Sequence, residues 1–207
     1  MPPNTKIDFS DARQDRSKKT LDDLLEAAFD IVEASDPKAF NGRQLANQSG
    51  YALGTLNKRL GPIENVFLWA IEKSRDKKLQ DFVNFIEHFD PHSSVEEYSR
   101  LAVEKCFISI GKQTPRVIRY YENKLLKRNG YTSDSLNFTD MFVEPYLRMV
   151  SLNKTNTFKK MTHNETRMIL NLGRTLIERP FIYNDPIAGS EEHQRIIIES
   201  FVRLLGK

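Results

Sequence analysis

From Thr20 onward, apolar residues recur at the three- and four-residue spacing of an amphipathic helix, and no convincing stretch alternates with the two-residue period of a strand. Leu21, Leu24, Leu25, Ala28, Ile31 and Val32 form the first stripe, opened by a capping-box-like pattern at Thr20 and Asp23. This helix is predicted to stop near Ser35, Asp36 and Pro37. A short helix is expected from about Gly42 to Ser49-Gly50, N-capped by Asn41 with Gln44 at its third position, and another over Leu53 to about Leu60. Gly61-Pro62 then breaks the chain. Proline is tolerated best at a helix start, so the break launches a long helix from Ile63 to about Phe89. Further starts are marked by Ser93 with Glu96, Thr114 before Pro115, Ser133 or Asp134, Thr162 with Glu165, and Ser190 followed by Glu191 and Glu192. The pattern predicts an all-α protein of about nine helices, without repeats or low-complexity tracts.

Residues 1–19 mix Pro, Asn, Asp, Arg and Lys without periodicity and read as a flexible arm. Residues 20–62 form a three-helix head, and residues 63–207 a larger helical body. With 39% hydrophobic and 29% charged residues, the composition is that of a globular protein able to bury a sizeable core. The formal net charge of +3 is too small to mark a nucleic-acid binder, so the placement of charge has to decide. The single cysteine, Cys106, excludes an internal disulfide and, beside Phe107 and Ile108, reads as a buried structural thiol in a reducing cytoplasm. Met1 to Asp11 show no apolar signal region, and the longest apolar run, Val66 to Ile71, falls far short of the ~18 residues of a membrane span. Neither secretion nor membrane insertion is expected.

The stretch from Arg43 to Leu60 carries the most information. Two short helices joined by a few residues with a turn glycine make a helix-turn-helix, because Gly50 lets the backbone reverse without a side-chain clash. Leu45 and Ala46 face inward on the first helix, and Leu53, Leu56 and Leu60 form the stripe of the second. Gly54, Thr55, Lys58 and Arg59 then point outward, where a recognition helix needs donors for base edges and phosphates. Between Pro37 and Ile63 the only charged residues are Lys38, Arg43, Lys58 and Arg59, whereas the preceding helix carries Asp22, Asp23, Glu26, Asp30 and Glu33. An acid-free window is thus hidden in a nearly neutral chain. Arg43 and Gln44 are expected to hold the DNA backbone, Thr55, Asn57, Lys58 and Arg59 to face the major groove or its phosphates, and Lys18 and Lys19 to add clamps. Leu53 and Gly54 allow close approach.

This stretch resembles the tetracycline-repressor (TetR) family of bacterial regulators, over Leu24 to about Ile71. Leu25-Glu26-Ala27-Ala28 is similar to the first-helix core of that family, and Leu45-Ala46, Gly50, Gly54-Thr55-Leu56 and Glu64 fall at its spacings. The resemblance implies an operator-binding dimer whose C-terminal helices enclose an effector pocket, with ligand binding changing the separation of the two heads. The chain departs from the pattern at Asn57, where the family has a phosphate-binding tyrosine, at Leu60, where it has an aromatic, and at Ile63, where a lysine opens the fourth helix. Ala52 replaces a serine or threonine cap. Asn57 retains the ability to hydrogen-bond a phosphate or an adenine edge.

Downstream, Ile197, Phe201 and Leu204 make one stripe and Ile198, Val202 and Leu205 another, while Met168, Ile169, Leu172, Leu176 and Ile177 cover more than one face. One stripe serves a helix's own core, so the second asks for a partner. Met168, Leu172, Leu176, Ile197, Phe201, Leu204 and Leu205 are therefore expected at a two-fold dimer interface. Aromatics are plentiful in the body, among them Phe82, Phe85 and Phe138, and fit either a cavity or a filled core. Trp69, Phe107, Tyr120, Tyr121, Phe142 and Tyr146 are the candidate effector-binding residues. The basic segment Lys112, Arg116, Arg119, Lys124, Lys127 and Arg128 fits a solvated face better than an anion site.

His88, His92, His163 and His193 lack metal-ligand spacing, and no nucleophile elbow or phosphate-cradling loop occurs, so neither metal nor cofactor nor enzymatic activity is expected. Two functions fit: a repressor released from its double-stranded DNA operator by a small-molecule effector, or a protein of the same fold that binds a partner or small molecule with weakened or lost DNA recognition.

Overall fold

The computed structural model describes residues 15–34, 37–112, 117, 120, 121, 123, 124 and 139–207. Among them lie eight α-helices: α1 (Asp15–Glu33), α2 (Gly42–Ser49), α3 (Leu53–Leu60), α4 (Ile63–Glu87), α5 (Val95–Lys112), α6 (Asp140–Leu152), α7 (His163–Tyr183) and α8 (Glu191–Leu205). A 3-10 turn, Pro37–Ala39, precedes α2. The described residues hold no strand, and Phe158 and Gly206 form an isolated bridge. The chain is all-α. Val117, Tyr120, Tyr121, Asn123 and Lys124 are also helical, whereas residues 1–14, the expected starts at Thr114 and Ser133 or Asp134, and Phe138 lie outside the described residues.

The apolar pattern misplaces one helix start. α1 opens at Asp15, so Thr20 is an interior residue, and Lys18 and Lys19 belong to the helix, not to an arm. Periodicity marks where a helix gains something to pack against, while the Arg16-Ser17-Lys18-Lys19 run before it has no helix breaker and simply extends the coil of hydrogen bonds into water.

The chain divides into two units, 1–77 with 112–132, and 78–111 with 133–207. The first unit thus runs beyond residue 62, the expected end of the head, and takes in a segment expected in the body. Its core joins Leu24, Ala28 and Val32 of α1, Leu45 of α2, Leu56 and Leu60 of α3, and Val66, Phe67 and Ala70 of α4, all buried. α2 and α3 both pack on α1. Val117, Tyr120, Tyr121 and Lys124 belong to this unit as well. Tyr120 meets Phe40 edge-on at 5.3 Å, Phe40 stacks on Phe67 at 4.9 Å, and Val117 is buried beside Tyr121 in sequence register. The Tyr121 hydroxyl accepts from Arg75 Nη1 at 2.9 Å and donates to Glu72 Oε1 at 3.1 Å, and Lys124 Nζ pairs with Glu64 at 3.1 Å. The buried Ser74 hydroxyl donates to the Glu33 carboxylate.

The second unit is built on the C-terminal half of α4 with α5, α6, α7 and α8, around Ile86, Val95, Tyr98, Val103, Tyr146, Met149, Ile177, Ile197 and Leu205. The caps expected at Thr162 and Ser190 form, whereas the start expected at Ser93 with Glu96 lies one residue later, where Ser94 Oγ accepts from Glu97 N–H at 3.4 Å at the head of α5. The Thr162 Oγ1 accepts from Glu165 N–H while Glu165 Oε2 reaches back to Thr162 N–H, and Ser190 Oγ accepts from His193 N–H. The α6–α7 connection carries its own polar network, in which Thr157 Oγ1 accepts from Val95 N–H at 3.0 Å and Asn153 Nδ2 donates to Ser93 O at 2.9 Å.

His193 shows how a sequence irregularity is absorbed. Pro180 lies inside α7 and has no N–H, so the Leu176 carbonyl four residues earlier loses its helical donor. His193 Nε2 lies 3.0 Å from that carbonyl, and Nδ1 accepts from Gly189 N–H at 3.2 Å. Since a carbonyl can only accept, Nε2 carries the proton and the ring is the neutral tautomer, set against Phe107 with 4.9 Å between ring centroids. Replacing His193 by leucine should cost about 2–4 kcal/mol by orphaning both backbone groups, whereas glutamine, which offers a donor and an acceptor, should cost less. Chemical unfolding of the two variants checks the order; equal losses would show that the ring serves only as packing.

Candidate nucleic-acid interface

The α2–α3 pair is shaped by local hydrogen bonds and one tie to α1. Asn41 Oδ1 accepts from Gln44 N–H at 3.0 Å, the expected N-cap, and Asn41 Nδ2 donates to Lys38 O at 2.9 Å. Gly50 ends α2 in the left-handed region, φ +74°, with its N–H on Ala46 O, which a side chain would strain. Ser49 Oγ accepts from Tyr51 N–H at 3.4 Å. The Tyr51 hydroxyl donates to Asp23 Oδ2 at 2.7 Å, tying the turn to α1, and that carboxylate holds the phenol proton and raises its pKa. Ala52 supplies no side-chain cap to α3, and its carbonyl takes the N–H groups of both Thr55 and Leu56.

With Leu56 and Leu60 buried, Gly54, Asn57 and Lys58 stand exposed at the spacing of one outward face, and Thr55 is half-buried beside them. Leu53 departs from the expected buried stripe: it is 44% exposed. As the first residue of α3 it overhangs the edge of the core, reaching Gly42, where an added Cβ would meet Leu53 Cδ1 at 2.9 Å. A Cβ on Gly54 would meet nothing within 4 Å, so packing does not demand that glycine; it leaves bare backbone on the outer face. Arg43 and Gln44 are exposed on α2, and Lys18 and Lys19 on α1. Arg59 belongs to α3, and its side chain lies outside the described residues. Neither Arg43 nor Lys58 has an acidic partner among the described residues, so both charges face solvent.

The candidate effector residues are divided between the units: Trp69, Tyr120 and Tyr121 belong to the first and Phe107, Phe142 and Tyr146 to the second. Phe107 packs on Phe181 and His193, Phe142 on Phe82, and Tyr146 on Tyr98, so these rings fill core space. The buried Tyr146 hydroxyl has no hydrogen-bond partner among the described residues, and desolvation pushes its pKa well up. Burial likewise pushes the Cys106 thiol up to about 12, with Glu178 adding to the effect, so it is not a thiolate at neutral pH. In the basic segment Lys124 is neutralised by Glu64; the side chains of Lys112, Arg116, Arg119, Lys127 and Arg128 lie outside the described residues.

The expected dimer contacts also divide. Ile197 at 1% exposure, Phe201 and Leu205 are consumed by the core of their own unit, which leaves them nothing to offer a second chain. The reason is Gly173: its missing side chain lets the Phe201 ring lie directly on α7, turning what reads as a second apolar stripe into an internal contact. Leu176 and Leu204 are half-buried. Met168 at 69% and Leu172 at 45% do face outward on α7, as does Ile196 on α8, which periodicity alone did not single out.

Among the described residues no three His, Cys, Asp or Glu side chains gather as a metal site, and no helix is long and apolar enough to cross a membrane. No protein-family model matches the chain, and no curated protein is recognisably similar to it.

Proposed function

We propose that the chain is a sequence-specific DNA-binding transcriptional regulator of the tetracycline-repressor type, acting as a homodimer and released from its operator by a small molecule. The carrying observation is the outer face of α3, where Gly54, Asn57 and Lys58 are exposed, next to Arg43 and Gln44 of α2, in a window without any acidic residue. A bare, cationic, hydrogen-bonding helix face is what entry into a major groove requires. The departure at Ile63 removes a phosphate charge from each protomer and that at Asn57 alters a contact, which weakens recognition without removing the face. The exposed Met168, Leu172 and Ile196 favour a two-fold contact through α7 and α8. The contacts of Tyr120 with Phe40, of Lys124 with Glu64 and of Tyr121 with Arg75 support a route by which these three residues steady the helix-turn-helix.

Selection of duplexes from a random pool tests the proposal: enrichment of a two-fold symmetric site supports it, and no enrichment at low salt favours the alternative, a protein of this fold without DNA recognition. Gly54 gives a sharper check. Gly54→Gln should stabilise the fold by about 0.5–1 kcal/mol, since it adds helix propensity into open space. The same side chain obstructs close approach, so affinity for the selected duplex should fall. A variant that gained stability and kept its affinity would remove α3 from the groove.

A further inference from the structure

Within the second unit, the C-terminal end of α4, the following loop and α5 enclose an open groove of about 450 Å³ lined by Asp81, Asn84, Phe85, His88, Phe89, Asp90, Ser93, Leu101 and Lys105. None of these residues takes part in the proposed DNA contact, and the volume lies in the range of small-molecule sites. The floor is aromatic. Phe85 and Phe89 are only half-buried, and both are braced from behind by Tyr98, with ring centroids at 5.8 and 5.2 Å, so their outer faces are held in place and open to the groove.

Three features give the groove a sign. Asp81 is exposed and makes no hydrogen bond or ion pair among the described residues; Asp90 spends one oxygen on His92 N–H at 2.9 Å and keeps the other. His88 Nδ1 lies 2.8 Å from the Asn84 carbonyl and donates to it, which fixes the ring against the end of α4. The end of α4 itself presents the negative pole of its helix. Against these acceptors stands one cation, Lys105, on the opposite wall, without an ion-pair partner among the described residues. A phenyl face beside carboxylates is attractive to a partly desolvated ammonium and unattractive to an anion.

We propose that this groove binds a small organic cation, an amine carried on an aromatic or aliphatic ring, with the ring on Phe85 and Phe89 and the ammonium between Asp81, Asp90 and His88. Lys105 then selects against ligands with a second positive charge at the far end. The site does not depend on DNA recognition, because occupancy is read on the protein alone.

Titration calorimetry of the full chain, without DNA, with 2-phenylethylamine and with 3-phenylpropionate as the matched anion tests it. The amine should bind saturably and the acid should not. The near-isosteric double variant Asp81→Asn, Asp90→Asn should weaken amine binding by about fivefold or more, while Lys105→Gln, which removes the opposing charge, should tighten it. Circular dichroism and the thermal midpoint establish that each variant is folded. No saturable amine binding, equal binding of both probes, an undiminished affinity in the double variant, or loss of amine binding in Lys105→Gln would each overturn the assignment.

Discussion

Lys58→Glu should lower affinity for the selected duplex by more than a hundredfold at 0.1 M salt, while the fold survives. Lys58 is exposed in the last turn of α3 and has no acidic partner among the described residues, so its replacement breaks no ion pair among them. The helix loses only a favourable cation near its C-terminus, worth about 0.5 kcal/mol. In a dimer the change removes two phosphate neutralisations. Each contributes about 0.9 to the slope of log affinity against log salt, so at 0.1 M salt two lost contacts lower log affinity by about 1.8, and the new carboxylates add repulsion. With about eight phosphates neutralised in total, the slope should also flatten from about −7 toward −5. Lys73→Glu provides the control, since Lys73 is exposed on α4, outside the helix-turn-helix, and carries the same change of charge. Equal losses in the two variants would mean that only net charge matters and would take Lys58 out of the interface.

Gly173→Leu should strongly destabilise the second unit. A Cβ at this position would stand 2.4 Å from Phe201 Cε1 and 2.5 Å from its Cζ, well inside van der Waals contact. Phe201 is itself buried in the core, so its ring has little room to retreat. Gly173→Ala sets a helix-propensity gain of about 1 kcal/mol against overpacking of about 1–3 kcal/mol, and a modest loss is expected. Leucine adds three further carbons in the same place and should exceed about 3 kcal/mol. Truncating Phe201 to alanine should by itself cost about 3–5 kcal/mol, yet in the Gly173→Leu background it should cost far less, because the new side chain occupies the vacated space. Urea unfolding of the four proteins measures this coupling. Strict additivity would show that the two positions do not compete for one volume.

The parts of the fold legible in the sequence are those fixed by local chemistry. Asn41, Gly50, Thr162 with Glu165, and Ser190 mark helix ends because their side chains, or the lack of one, satisfy or release backbone groups within a few residues. The α2 and α3 boundaries follow from those signals together with Gly61-Pro62. Long-range competition for apolar surface is not written locally. Periodicity counted Ile197, Phe201 and Leu205 as surplus to their own core because nothing near them in sequence shows that α7 carries a glycine where Phe201 arrives. Leu53 looked buried because spacing identifies a stripe but not how far its edge overhangs the core. The aromatic candidates suffered the same limit: Tyr120 and Phe107 are alike in sequence, yet one serves the first unit and the other the second. The pairing of Lys124 with Glu64, sixty positions apart, had no signal at all.

Because Phe40, stacked on Phe67, also meets Tyr120 edge-on, the head cannot be completed in the order in which it is written. On the ribosome Phe40 emerges eighty residues ahead of the ring that meets it, so this part of the first unit is finished only late in synthesis.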